Sequence, residues 1–371
     1  MIPVYKPYLP KEALKYAHDA IDSTWLSSKG KYLSLVSEKL QELLGVKHAL
    51  LVNNGTSATH LVAKGLKFHN KDIENIIAPN NVYVAALNSF LYDNNYVLHT
   101  IDANLDTWNF DLDQVEAQAK YFQNAAILIV HNVGNIINVP WLKYKNPNIL
   151  FVEDNCEGFL GKYGSQHTGT VSLLSSISFF GNKNITSGEG GCVLTNDTDI
   201  FEYLNCVQGQ GQSKEKFVHC ELGYNYRMTN VQAALLYGQL QIVDEIIRKK
   251  QSVFSLYTSL FKHNEKIILQ QHDERTTSAN WMFGLRVLDS QYKIAEKFFS
   301  QHNIEIRPMF YPASAHNHLI NNPNIFIGDE YNSKTLNEEC IILPSFPELS
   351  VEEINYITKT VDEYIENIGH T

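Results

Sequence analysis

Apolar and polar positions change period many times along the chain. Residues 12–23 and 32–44 carry apolar side chains at helical spacing, and Gly45 follows the second run as a residue suited to end a helix. Residues 48–52 form a short unbroken apolar run, which suits a buried strand. Asn53-Asn54-Gly55-Thr56-Ser57-Ala58 then turns into a helical pattern that continues to about residue 66. The same alternation repeats. Strands are predicted at 75–78, 97–101, 125–130, 149–154, 175–180 and 191–195. Helices are predicted after 81, over 111–121 and over 197–208. Strands that alternate with helices predict an α/β fold with a mostly parallel sheet and right-handed crossovers. A helix over 231–243 comes next, and a helical run over 243–250 carries the chain into a second region. There 281–288 and 304–307 read as strands, and 291–300 and 351–368 as helices. A chain of 371 residues exceeds one ordinary core, so two domains are expected, 1–245 and 246–371.

Charge and composition narrow the function classes. The net charge of −10 argues against a general nucleic-acid or membrane-surface binder. The longest clean apolar run, 125–130, is far too short to span a bilayer, and no apolar leader precedes Lys6 and Pro7. The five cysteines are scattered without a Cys-x-x-Cys pair, as expected of reduced thiols in a cytoplasmic protein. His316 and His318 stand two apart without further ligands, so no metal is expected.

The candidate chemistry centres on Ser178-Phe179-Phe180-Gly181-Asn182-Lys183-Asn184-Ile185-Thr186-Ser187-Gly188-Glu189-Gly190-Gly191. One lysine stands here with apolar sequence on both sides. A desolvated lysine can present a neutral amine to a carbonyl. On this stretch alone, a surface turn lysine in a hairpin is an equally good reading. Asp154 then adds an acid at the end of a predicted buried strand, where open α/β sheets place their ligands. A lysine that condenses with pyridoxal phosphate needs a carboxylate facing the ring nitrogen, and Lys183 and Asp154 supply both parts. The strand-turn-helix at Asn54-Gly55-Thr56-Ser57 collects free backbone N–H groups at a helix start. That arrangement suits a phosphate, although it is also a common helix cap.

These residues resemble the DegT/DnrJ/EryC1/StrS sugar-nucleotide aminotransferases, a branch of the fold-type I pyridoxal-phosphate enzymes. The similarity runs from Pro7 to about Tyr364, and Asn182 to Gly191 is most similar to the perosamine- and viosamine-type members. The resemblance implies a large domain with a mostly parallel seven-stranded sheet flanked by helices, plus a smaller α+β C-terminal domain. It implies amino transfer from an amino acid, L-glutamate first, to C4 of a nucleotide-linked 4-keto-6-deoxyhexose, with C3 as the alternative. A non-catalytic binder of the same ligands is the remaining alternative. By the same resemblance Gly55, Thr56, Ser57 and Ser178 hold the cofactor phosphate. Tyr83 stacks on the ring. Glu157 bonds the cofactor hydroxyl, approaches the substrate amine or is a solvated loop acid. Asn225 reaches the phosphate of a neighbouring subunit, which makes a homodimer with interface active sites the expected assembly. Trp25, Lys29, Arg227, Arg307 and His316 are the substrate-side candidates.

Overall fold

The computed structural model describes residues 1–122 and 124–368. Seven strands build the main sheet: β1 (His48–Val52), β2 (Asn75–Pro79), β3 (Val97–Ile101), β4 (Ala125–Val130), β5 (Leu150–Asp154), β6 (Leu174–Ser178) and β7 (Gly191–Thr195). Their order is β1-β7-β6-β5-β4-β2-β3, and the two-residue strand Ile325–Phe326 extends the β3 edge as an eighth. All neighbours run parallel except β7, which is antiparallel to both β1 and β6. The expected α/β architecture is therefore present, with one strand brought in from late in the chain. β4 is buried along its whole length, and β2 and β5 are buried at every residue but a half-buried first one, as a sheet covered on both faces requires.

Five helices frame the part of this sheet that carries the site: α1 (Lys11–Asp22), α2 (Lys31–Leu44), α3 (Gly55–His69), α4 (Thr198–Gln208) and α5 (Asn230–Gln241). On one face Leu61, Val62 and Leu66 of α3 and Leu204 of α4 pack with Ile76, Leu128 and Val152 of the sheet. On the other, Val36 and Leu40 of α2 and Leu236 and Leu240 of α5 pack with Leu51, Ile177 and Leu194. The chain leaves along α6 (Val243–Phe261) into an antiparallel sheet of β8 (Ile267–Leu269), β9 (Phe283–Val287), β10 (Arg307–Pro308) and β11 (Cys340–Leu343), ordered β8-β9-β11-β10. α7 (Val351–Ile368) covers it, with Ile357, Val361 and Tyr364 packed against Phe299 and Leu343.

Three departures from the sequence pattern have physical causes. The strand expected over 175–180 ends at Ser178, because the Phe179 carbonyl is taken by the Ser187 N–H and the Thr186 hydroxyl and the chain folds into a loop. The strand expected over 304–307 is reduced to Arg307–Pro308. Ile304 is taken instead by a bridge to Ile2, and Glu305 donates to the Ile2 carbonyl. The helix expected after 81 starts only at Ala85, leaving 81–84 as an irregular wall.

α5 lies against α1 at Gly238, where an added Cβ would sit 2.2 Å from the Ala13 carbonyl oxygen. Backbone cannot yield as a flexible side chain would, so Gly238→Ala must push the helices apart. A loss of about 2 kcal/mol is expected for such overpacking, read as a lower urea midpoint. An unchanged midpoint would show that the two helices separate freely.

Candidate active site

The C-terminal ends of β4, β5 and β6 open into a cavity of about 670 Å³, closed on the far side by residues 307–311 and His316. This is where a parallel sheet presents its ligand-binding edge.

One corner is the start of α3. Asn54 caps the helix, its side-chain oxygen accepting the Ser57 N–H at 2.8 Å. Gly55 and Thr56 face the cavity. Close packing holds this turn in place. A Cβ on Gly55 would stand 2.6 Å from the Ser178 Cβ, and one on Gly191 would stand 2.4 Å from the Asn54 carbonyl oxygen. Only glycine lets the turn, the end of β6 and the start of β7 meet. Free N–H groups at the helix N-terminus beside the Ser178 hydroxyl form a cradle for an anion.

The second corner is Asp154, the last residue of β5 and 7% exposed. One carboxylate oxygen accepts the Cys156 N–H at 3.1 Å. Thr59, one turn into α3, lies 3.5 Å from the other and 2.9 Å from the Ser176 hydroxyl. The carboxylate is thus aimed from a rigid strand end and held from the side.

The third corner is Lys183. Its amino group lies 3.7 Å from the centre of the Trp281 ring. Its own carbonyl accepts the Tyr5 hydroxyl at 2.7 Å. The preceding carbonyl, of Asn182, accepts the Trp281 indole N–H at 2.9 Å, and the following side chain, Asn184, donates to Ala279 at 2.7 Å. Two segments remote in sequence, the N-terminal one at Tyr5 and 279–281, therefore grip one irregular turn. Lys183 is half-buried in the loop joining the antiparallel pair β6 and β7, and that turn is held from elsewhere in the chain.

Glu157 sits between these groups, 5% exposed, and accepts the Val133 N–H at 2.8 Å. Burial pushes its carboxyl up to about 7; Lys183 pulls the other way, and Asp154 adds to the rise. Val133 makes that bond from φ 52°, a left-handed conformation that strains a β-branched residue. Burial also pushes the Cys156 thiol up, so it backs the site as an uncharged group.

Of the residues singled out from sequence, Gly55, Thr56, Tyr83, Asp154, Glu157, Ser178, Lys183, Arg307 and His316 line this one cavity. Tyr83 stands at its mouth, 62% exposed, with its ring edge-on to Phe310. Arg307 comes within 3.6 Å of Glu305, and burial with neighbouring His318 lowers His316. Ser57 is buried as part of the helix cap and does not line the cavity. Trp25, Lys29, Asn225 and Arg227 lie outside it in the single chain. Asn225 is exposed and accepts from Arg227 at 3.1 Å, next to Tyr226, whose carbonyl receives the Asn53 N–H. Tyr5, Thr59 and Trp281 were not singled out. Each is isolated in sequence, and only the fold brings it to the lysine or the acid. Among the described residues no helix is long and apolar enough to cross a membrane.

Comparison with known proteins agrees with this geometry. The model of the DegT/DnrJ/EryC1/StrS aminotransferase family matches residues 7–362. The chain is 32% identical to a GDP-perosamine synthase of Escherichia coli O157:H7, over 98% of each chain. It is 31% identical to a GDP-perosamine synthase of Vibrio cholerae, over 99% of this chain and 100% of that one. Among solved structures, Helicobacter pylori PseC, an aminotransferase of pseudoaminic acid biosynthesis, superposes with a TM-score of 0.88 at 25% identity, covering 98% of this chain and 99% of that one. An Escherichia coli GDP-4-keto-6-deoxy-D-mannose-3-dehydratase with bound hydrated PLP shares the fold, with a TM-score of 0.90 at 20% identity over 97% and 99% of the two chains. A family match over nearly the whole length, on a fold that sets Lys183 and Asp154 into one cavity, means that the chain belongs to the DegT/DnrJ/EryC1/StrS aminotransferase family.

Proposed function

We propose that the chain is a pyridoxal-phosphate-dependent aminotransferase. It moves an amino group from an amino acid, L-glutamate, to C4 of a nucleotide-linked 4-keto-6-deoxyhexose, giving a 4-amino-4,6-dideoxy sugar nucleotide. The observation that carries the reading is the convergence of Lys183, Asp154 and the glycine-fitted start of α3 on one cavity. The cofactor fits these residues, since an amine, a carboxylate and an anion cradle stand at three corners of the same space. The names of the two perosamine-synthase relatives make GDP the first nucleotide to try.

Pyridoxal phosphate, when bound, supplies a ring that accepts the electron pair left when a neighbouring carbon loses its proton. The chain's own residues do the rest. Gly55 and Thr56 N–H groups and the Ser178 hydroxyl hold the phosphate, and Asp154 keeps the ring nitrogen protonated. Tyr83 covers the ring, and Glu157 bonds its hydroxyl. Lys183 Nζ would hold the cofactor and would carry the proton to and from the reacting carbon. Arg307 and His316 meet the anionic parts of the substrates at the mouth. Trp25, Lys29, Ser57, Asn225 and Arg227 complete the reading from outside the single-chain cavity. Asn225 serves the phosphate of a second copy in a homodimer, and its exposure beside the phosphate turn supports that role. The division at 245 and 246 belongs to the same reading. It is supported by the separate apolar cluster of Tyr257, Phe261, Phe283 and Tyr364. The active site then lies where the larger part's Lys183 and Asp154 face the smaller part's Arg307 and His316.

Lys183→Ala is expected to abolish covalent capture of pyridoxal phosphate, assayed by borohydride reduction and protein mass, together with turnover of a panel of nucleotide-linked 4-keto-6-deoxy sugars. Asp154→Asn should keep the capture and lose at least about 100-fold in amino transfer. Normal turnover in either variant sinks the assignment of that residue.

Glu157 gives a pH test. Its carboxyl is raised from 4.5 to about 7 in the fold, so between those values the folded chain binds more protons than the unfolded one. Stability from this group therefore falls as pH rises through that window, by on the order of 3 kcal/mol. Glu157→Gln keeps the acceptor for Val133 and removes the charge. The cofactor-free variant should have a higher urea midpoint than the parent at pH 8 and the same midpoint at pH 4.5. An equal gain at both values would show that burial of the charge is not the cause.

A further inference from the structure

A buried lysine, with no part in the amino transfer itself, lies behind Trp281. Lys250, on α6, is 1% exposed. Its amino group donates to the Trp281 carbonyl at 2.8 Å and to the Ser345 carbonyl. It rests 5.4 Å from the centre of the Tyr5 ring and 5.2 Å from that of Phe254. Among the described residues those two carbonyls are its polar partners, and burial pushes its amine well below the usual lysine range. Placing an amine there is costly unless it is hydrogen-bonded. A methionine would fill the same space without that cost, so the packing alone does not call for a lysine.

The strand register shows what the amine does. β9 and β11 pair Phe283 with Leu343. Two places further out the same register would set Trp281 opposite Ser345, but the ladder has ended, and the Ser345 hydroxyl accepts the Phe283 N–H instead. Lys250 enters where the strands part and takes both carbonyls. Trp281 is pinned by its main chain. Its side chain reaches the opposite way, with the indole N–H on Asn182 and the ring against the Lys183 amine. Tyr5 joins the two lysines from the side: its hydroxyl holds the Lys183 carbonyl and its ring faces Lys250.

We propose that Lys250 is a positioning residue for the reaction at Lys183: by holding the Trp281 carbonyl, it fixes the indole against which the Lys183 amine lies. The inference rests on the reading of Lys183 as the lysine that binds the cofactor.

The test is a double-mutant cycle on covalent capture. Cofactor-free protein is mixed with pyridoxal phosphate and samples are reduced with borohydride at intervals. The mass of the peptide bearing Lys183 then gives the rate. Lys250→Met and Trp281→Leu should each slow capture by about tenfold, the size of a lost cation–π and hydrogen-bond contact. The double variant should be no slower than Trp281→Leu alone, because its second change removes support from a ring already gone. Losses that multiply, or a Lys250→Met protein that captures at the parent rate, overturn the proposal. Lys250→Gln runs alongside in case the methionine variant does not fold. Its amide ends one atom short of the lysine nitrogen and reaches one carbonyl at most, so it should be slower and likewise coupled to Trp281. A glutamine variant at the parent rate also overturns the proposal. A parent protein that fails to capture at Lys183 strikes the proposed function instead, so the two failures are told apart.

Discussion

A lysine that must react with an aldehyde needs two things that conflict. It has to be held in one place, and it must not be held by a carboxylate that fixes its charge. Lys183 meets both demands by being gripped through its main chain. Tyr5 takes its carbonyl, Trp281 takes the carbonyl before it, and Asn184 ties the residue after it to Ala279. The side chain meets an aromatic face, which attracts a cation. Much of the rest of the fold answers to this arrangement. The N-terminal segment has to return to the site with Tyr5, and the sheet of β8–β11 has to deliver Trp281 at the point where β9 begins.

The anion cradle depends on a different constraint, the absence of side chains. Gly55 and Gly191 meet backbone or Ser178 at distances no Cβ tolerates. The helix start, the end of β6 and the start of β7 therefore form one unit. β7 has to run antiparallel to both its neighbours for this to happen, since it must begin beside Ser178 and end near the start of β1. The single reversal in an otherwise parallel sheet brings Gly191 to the phosphate turn. Lys183 lies in the loop that makes the reversal, so its position relative to the cradle is set by the same strand pairing.

These two constraints explain what was legible in the sequence. Lys183, Asp154, Gly55 and Ser178 stand in local patterns whose chemistry can be named from neighbouring residues. The alternation of apolar runs gave the order of strands through 195. Tyr5, Thr59, Trp281 and Lys250 carry no such pattern. Each acts on the site from a segment whose partner is remote, as with Tyr5 and Lys183, 178 positions apart. Short strands were misjudged for the same reason. Residues 304–307 have a strand-like pattern, yet the N-terminal segment claims Ile304 before β10 begins. The helix Tyr331–Glu339 and strand β11 were missed, although the strand is a clean apolar run, because nothing local marks where one gives way to the other.

The residues outside the cavity share a pattern of their own. Trp25 and Asn225 come from segments far apart, yet both are exposed, and both are tied to the edges of the site through the main chain. The Trp25 carbonyl accepts from Asn230 at the start of α5, and the Asn225 segment bridges to Val52 through Arg227 just before the phosphate turn. A chain that positioned these loops only for its own cavity would point them inward. Their exposure together with Phe217 and Leu222, at 78% and 88%, leaves apolar side chains in water on the segment that leads to Asn225. Apolar groups left in water favour a partner that covers them. In the proposed homodimer a second copy docked there would cover them and bring Asn225 towards the neighbouring phosphate turn.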